Sequence, residues 1–205
     1  MLPLREALRD LTRLHSIARR LPLRFDPAAL ASDLARVPDS SWVTYSGAYF
    51  DSGRYLSVNV SGTELFREVV SSFQAPIRMV RLTRLLPGGN IRRHRDTNVG
   101  RDLFRVHVPV ATDGSVEFRV AGVNLPMQIG EAWRMDPRFP HEVHNRSGND
   151  RVHLIIDLPR SAALDDLLAR GHCFGRHLLL DYFALDGLRW LASRSGISGL
   201  RKHRR

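Results

Sequence analysis

The segment Arg92-Arg93-His94-Arg95-Asp96 sets an imidazole and a carboxylate two positions apart. In an extended chain, residues i and i+2 project from the same face, so His94 and Asp96 can converge on one cation. A third donor stands far along the chain, in His141-Glu142-Val143-His144-Asn145, after the Asp136-Pro137 break. Two histidines and one carboxylate on one face of an octahedron leave three positions open, the arrangement by which non-haem Fe(II) oxygenases hold a cosubstrate and O2. A structural zinc site would instead fill its coordination sphere, typically with cysteines, and this chain has only Cys173. In a chain with nine histidines, His-x-Asp taken by itself reads as a loop ion pair. It gains weight from the second cluster. His141 and His144 are three apart and so face opposite sides of an extended segment, which lets only one of them point at the ion.

A ferrous site of this kind needs an electron source, and 2-oxoglutarate is a common one. One of its carboxylates chelates the metal with the keto oxygen; the far one needs a buried cation. Arginine suits that role because a guanidinium binds a carboxylate through two parallel hydrogen bonds. Arg151 opens the otherwise apolar run Arg151-Val152-His153-Leu154-Ile155-Ile156-Asp157, where an unpaired charge is costly. In Phe104-Arg105-Val106-His107-Val108-Pro109-Val110, Arg105 and His107 share one face and the valines share the other. Solvent-facing sides of half-buried strands would give the same alternation.

The elements that must position these groups are short. From Trp42 to about Leu158, runs rich in Val, Ile, Tyr, Phe and Trp alternate with Gly, Pro, Asn and Asp clusters, which predicts a mainly β core. Strands are expected near 43–50, 54–60, 77–86, 103–110, 115–120, 130–135 and 151–158, a spacing that fits a sandwich or barrel. One helix is expected near 62–73. Leu4, Leu8, Leu11 and Leu14 predict an amphipathic helix over the first twenty residues. Asp26 before Pro27 predicts an N-cap for a helix over 27–36. Ser161 can cap a helix through Leu168, and a longer apolar helix is expected over 176–192.

The 205-residue length suits one sizeable core with flanking helices. A formal charge of +10 with thirty arginines beside the single lysine Lys202 reads as a composition bias. The arginines are scattered apart from the tail Arg201-Lys202-His203-Arg204-Arg205, and a short basic tail is usually a frayed, solvated end. A nucleic-acid partner is therefore not expected, although the positive field could attract anionic small molecules. No stretch approaches about 18 uncharged apolar residues, and the charged N-terminus lacks the apolar core of a signal peptide. The single cysteine forbids an intrachain disulfide and permits a reducing compartment, so a cytoplasmic protein is the expectation.

Residues 78–158 resemble the aspartyl/asparaginyl β-hydroxylase family, including its bacterial members that act on free amino acids such as proline. The resemblance is carried by Leu82-Thr83-Arg84-Leu85-Leu86-Pro87-Gly88-Gly89, His94-Arg95-Asp96, Arg105-Val106-His107-Val108, Gly130-Glu131-Ala132-Trp133, Asp136, Phe139 through Asn145, and Arg151 through Asp157. It implies a double-stranded β-helix, or jelly roll, mainly β with helices packed outside, and the use of Fe(II), 2-oxoglutarate and O2. By position it implies His94, Asp96 and His141 as metal ligands, His141 rather than His144 being the distal histidine. Arg151 would hold the far carboxylate of 2-oxoglutarate with Thr83 as a hydroxyl partner, and Arg105 and His107 would approach the near one. The animal aspartyl hydroxylases lack a carboxylate at the position of Asp96, so the chain is similar to the bacterial type. The implied organisation is N-terminal helices over 1–40, an oxygenase core over 41–159, and C-terminal helices with a basic tail over 160–205. The implied reaction hydroxylates an unactivated C–H bond of a small amino acid or related metabolite, with succinate and CO2 as coproducts. The alternatives are an Asp or Asn side chain of a peptide or protein as substrate, or a cupin-like metal protein that does not use 2-oxoglutarate. Substrate contacts are not legible: Trp42, Tyr45, Tyr49 and Tyr55 fit core packing more readily than a pocket, and Arg92, Arg93, Arg95, Arg101 and Arg119 are candidates for an acidic substrate, although most read as ordinary surface arginines.

Overall fold

The structure, a computed structural model, describes residues 4–51, 53–96 and 103–194. In chain order its elements are α1 (Leu4–Thr12), β1 (Leu14–Ser16), β2 (Ala18–Arg24), α2 (Pro27–Ala35), β3 (Val43–Thr44), β4 (Tyr55–Asn59), α3 (Arg67–Ser71), β5 (Met79–Leu85), β6 (Asn90–His94), β7 (Leu103–Ala111), β8 (Val116–Val120), β9 (Val123–Asn124), β10 (Glu131–Met135), β11 (His141–Asn145), β12 (Arg151–Pro159), α4 (Ala162–Ala169), β13 (His172–Cys173), β14 (Arg176–Leu178) and α5 (Leu179–Arg194). They form two compact units: residues 16–175, and a smaller unit drawn from both chain ends. In the smaller unit α1 packs on α5, and β1 pairs with β14. No helix among the described residues is long and apolar enough to cross a membrane.

The larger unit is a jelly roll of two antiparallel sheets. The major sheet has the order β13-β2-β10-β7-β12-β5-β4-β3 and the minor sheet the order β6-β11-β8-β9. Strand parity explains what each face does. In β5, β7 and β12 one face carries Val80, Leu82, Val106, Val108, Val110, Val152, Leu154, Ile156 and Leu158, all buried. These side chains build the hydrophobic core together with Leu30 of α2, Val69 of α3, and Leu164 and Leu167 of α4. The apolar core therefore lies on the helix-covered side of the major sheet. The opposite face, read across the register, presents Arg81, Ile155 and His107 in one row, Ser57, Thr83 and His153 in the next, and Tyr55, Leu85 and Arg151 in a third. Alternation alone left that face open to solvent; here all of its polar groups except His153 line a cavity.

The caps appear as expected. The Asp26 side chain accepts from the Ala28 N–H at the start of α2, and Ser161 accepts from Leu164 at the start of α4. Three expectations change. The helix over the first twenty residues ends at Thr12, and Ala18–Arg24 is a strand of the major sheet. The charges and Pro22 of that segment hide it from an apolar-run reading. The helix near 62–73 contracts to Arg67–Ser71, and the strand at 43–50 to two residues. The basic tail lies outside the described residues.

Gly130 leads into β10 at φ 80°, and the Phe25 N–H donates to its carbonyl at 2.9 Å. A Cβ at this position would stand 2.2 Å from the Phe25 carbonyl oxygen. Gly130→Ala is thus expected to destabilise the protein by more than about 2 kcal/mol, since the clash adds to left-handed backbone strain. Thermal unfolding checks this, and an unchanged Tm would contradict it.

Candidate active site

His94 ends β6 and His141 begins β11, and the two are direct cross-strand partners. Their ring centroids are 4.2 Å apart. Asp96, two residues past His94, stays on the same side as its backbone N–H donates to the Pro137 carbonyl at 3.0 Å. One donor atom from each of the three side chains lies within 4.8 Å of the others. The histidines are also in the right tautomer for a metal. His94 Nδ1 donates to the Arg92 carbonyl at 2.7 Å, and His141 Nδ1 donates to the Phe139 carbonyl at 3.0 Å. In the neutral ring, that Nδ1 donation leaves the Nε2 lone pair free for a metal, and His94 Nε2 lies 3.6 Å from Asp96 Oδ1. Carbonyl acceptors behind metal-binding imidazoles are the usual means of fixing their orientation. Burial, with His94 alongside, pulls His141 down to about 4, so it is neutral and ligand-competent at neutral pH. Tyr49 stacks on His94 at 4.9 Å and Phe50 meets it edge-on at 6.1 Å.

His144 faces the other way. Its Nδ1 bonds Asn90 Oδ1 at 2.8 Å and its Nε2 lies 3.6 Å from Glu142. We therefore expect His144→Ala to leave metal affinity within about threefold of wild type, an expectation resting on the loss of one partly exposed polar contact. A titration with Fe(II) or Mn(II) checks it; loss of metal binding would move the ligand assignment.

The cavity between the sheets encloses about 140 Å³, and the metal-donor cluster and Thr83, Arg105, His107 and Arg151 all line it. The two arginines differ sharply. Arg105 arrives already paired: its Nε and Nη2 donate to both oxygens of Asp157, at 2.7 and 2.8 Å, and its Nη1 contacts the Asp96 carboxylate. It is therefore placed to orient Asp96. Arg151 is 2% exposed and has no carboxylate partner among the described residues. Its Nε makes no hydrogen bond. Burial lowers it to about 10, which still leaves it cationic at neutral pH. His107 is buried with neither ring nitrogen bonded. Burial, and then Arg151, hold it well below its usual range, so it is neutral. Buried polar atoms are nearly always satisfied, so orphan donors around one cavity mark where a ligand binds. Thr83 is fully buried and its hydroxyl donates to the His153 carbonyl at 3.4 Å, and burial pushes the neighbouring Tyr55 hydroxyl up.

Other candidates sort clearly. Tyr45 and Tyr55 line the cavity, whereas Trp42 joins the hydrophobic core beneath the Arg84 guanidinium. Arg92 pairs with Asp51, Arg95 donates to the Arg138 carbonyl, and Arg119 pairs with Glu117. Neither they nor Arg93 lines the cavity, and Arg101 lies outside the described residues. Sequence reasoning missed Arg81 and His153. Arg81 lines the cavity with a buried, unbonded Nε and no ion-pair partner among the described residues. Both lie two residues from a group already singled out, Thr83 and Arg151, so strand parity was the available signal.

Residues 49–161 match the family described as aspartyl/asparaginyl β-hydroxylase. No curated protein matched the chain. Among solved structures, the chain is similar to a 2OG-Fe(II) oxygenase-family oxidoreductase from Burkholderia pseudomallei, with 18% identity, a TM-score of 0.50, and coverage of 65% of this chain and 78% of that one. It is also similar to a Pseudomonas putida prolyl-4-hydroxylase, with 14% identity, a TM-score of 0.50, and coverage of 66% and 86%. A viral collagen prolyl hydroxylase from Paramecium bursaria Chlorella virus 1, solved with 2OG, gives 9% identity, a TM-score of 0.53, and coverage of 71% and 97%. At these identities the likeness is one of fold.

Proposed function

Because the chain belongs to the aspartyl/asparaginyl β-hydroxylase family, we propose that it is an Fe(II)- and 2-oxoglutarate-dependent dioxygenase that hydroxylates an unactivated C–H bond of a small amino acid or related metabolite. The observation that carries this reading is one cavity holding both the His94, Asp96 and His141 donors and an unpaired buried arginine, Arg151. The bound ferrous ion would supply O2 activation coupled to oxidation of 2-oxoglutarate to succinate and CO2. His94, Asp96 and His141 hold that ion. Arg105 orients Asp96, with Asp157 neutralising the surplus charge behind it. Arg151 binds the far carboxylate with Thr83 beside it, and neutral His107 faces the same space. We assign this chemistry to residues 16–175. That unit widens the 41–159 core because β2 extends the major sheet and α4 helps to cover it.

Arg81 supports a substrate that carries a carboxylate. With Arg105 matched to Asp157 and Arg151 to the cosubstrate, it is the cavity cation still lacking a counterion. Tyr45, Phe50 and Tyr55, in mutual ring contact, offer an apolar wall beside it. The test is to incubate the enzyme with Fe(II), 2-oxoglutarate and a panel of free amino acids and short peptides. A product heavier by one oxygen atom among the free amino acids is expected. Hydroxylation confined to Asp- or Asn-containing peptides would replace the small-molecule reading.

A further inference from the structure

His153 sits behind Arg151 rather than in the cavity wall. The two are i and i+2 on β12, so they share the inner face of the major sheet. Arg151 Nη2 donates to His153 Nδ1 at 2.8 Å, and both side chains are at most 2% exposed. The guanidinium also lies 5.4 Å over the Phe118 ring. Among the described residues His153 supplies the one hydrogen bond to this guanidinium, whereas Arg105 is held by two carboxylates.

From this contrast we infer that His153 is a positioning residue, which aims Arg151 at the far carboxylate of 2-oxoglutarate while leaving its charge uncancelled. The inference rests on the cosubstrate reading above. An imidazole that accepts a hydrogen bond from a guanidinium must have its lone pair on Nδ1, so its own proton is on Nε2 and it is neutral. Burial, with Arg151 and His107 nearby, holds His153 well below its usual range and favours that state. A carboxylate at the same place would fix Arg151 equally well, but would saturate the charge that the ligand must meet. A neutral acceptor separates the two tasks: orientation comes from the protein and charge compensation from the ligand. Where the guanidinium is not pre-aimed, binding must also cover the cost of ordering a long side chain.

Calorimetric titration of the anaerobic Fe(II)-loaded protein tests this, with 2-oxoglutarate and with pyruvate, a 2-oxo acid that lacks the far carboxylate. His153→Leu is expected to bind 2-oxoglutarate about tenfold more weakly, the scale of one hydrogen bond to a charged group, with pyruvate affinity unchanged. His153→Gln, which restores an acceptor, is expected to recover most of the loss. Equal weakening towards both ligands would mean a packing role and would overturn the inference, as would wild-type affinity in His153→Leu. If His153→Leu does not fold, His153→Gln and His153→Asp decide: the Asp variant must bind 2-oxoglutarate more weakly than the Gln variant, and equal affinities overturn the inference. Wild-type protein that takes Fe(II) but not 2-oxoglutarate contradicts the cosubstrate reading itself, and this inference falls with it.

Discussion

Replacing His141 with alanine is expected to lower metal affinity by at least about 100-fold, the upper end of what even outer-shell changes cost, and to remove turnover with it. The expectation follows from geometry. His141 is the only one of the three donors that comes from β11, and it is 7% exposed. It stands directly across from His94, with its Nδ1 already committed to the Phe139 carbonyl. Once it is gone, His94 and Asp96 remain as two donors, too few to hold a labile ferrous ion with cosubstrate positions free. The fold should tolerate the change better than the site does. The major-sheet core of Val106, Val108, Leu154 and Ile156 lies on the other face, and His141 makes one hydrogen bond that the alanine variant forgoes. Metal titration beside thermal unfolding separates the two. Retained affinity in His141→Ala with loss in His144→Ala would shift the ligand assignment by three residues and undo the placement of Arg151 as well.

Arg151→Ala is expected to raise the KM for 2-oxoglutarate by roughly 30-fold or more, because truncating one member of a buried ion pair costs about 2–5 kcal/mol. Metal affinity should hardly change, since Arg151 touches none of the three donors. The same cavity offers an internal comparison. Arg105→Ala should instead weaken metal binding, because its contact orients Asp96 and its loss leaves Asp157 buried without its partner. Arg151→Lys should recover only part of the loss, as an ammonium on a flexible stem cannot reproduce the two-pronged guanidinium geometry. Steady-state kinetics in 2-oxoglutarate alongside metal titration gives the split. An unchanged KM in Arg151→Ala would remove this residue from the cosubstrate site.

Much of this site was legible because strands obey a two-residue period. His94 with Asp96, and Arg105 with His107, were grouped by parity alone; parity also put His141 and His144 on opposite faces, but the choice of His141 came from the family resemblance. Parity could not say what faces each side. The alternation in β7 fits solvent as well as it fits a cavity, and only the helices packed on the valine face decide between them. The strand Ala18–Arg24 escaped because three arginines and Pro22 break any apolar run; its burial comes from pairing with β10 and β13 rather than from its own composition. The leucine spacing of the N-terminus predicted a helix through residue 20, yet the helix stops at Thr12 where strand pairing takes over. Tyr49 and Phe50 around His94 are tertiary contacts across the Phe50–Ile91 bridge, and no local pattern announces them. Arg81 and His153 were within reach of the parity rule, but apolar neighbours masked them.

The central claim is that the three-donor centre and Arg151 serve one reaction that consumes 2-oxoglutarate. The most direct measurement is succinate formation by purified protein supplied with Fe(II), ascorbate, O2 and 2-oxoglutarate, with and without a chelator. Wild-type protein should form succinate even without its substrate, at a slow uncoupled rate, and the chelator should stop it. No succinate, together with no 2-oxoglutarate binding by the Fe(II)-loaded protein, would contradict the account and leave a metal-binding jelly roll of another chemistry.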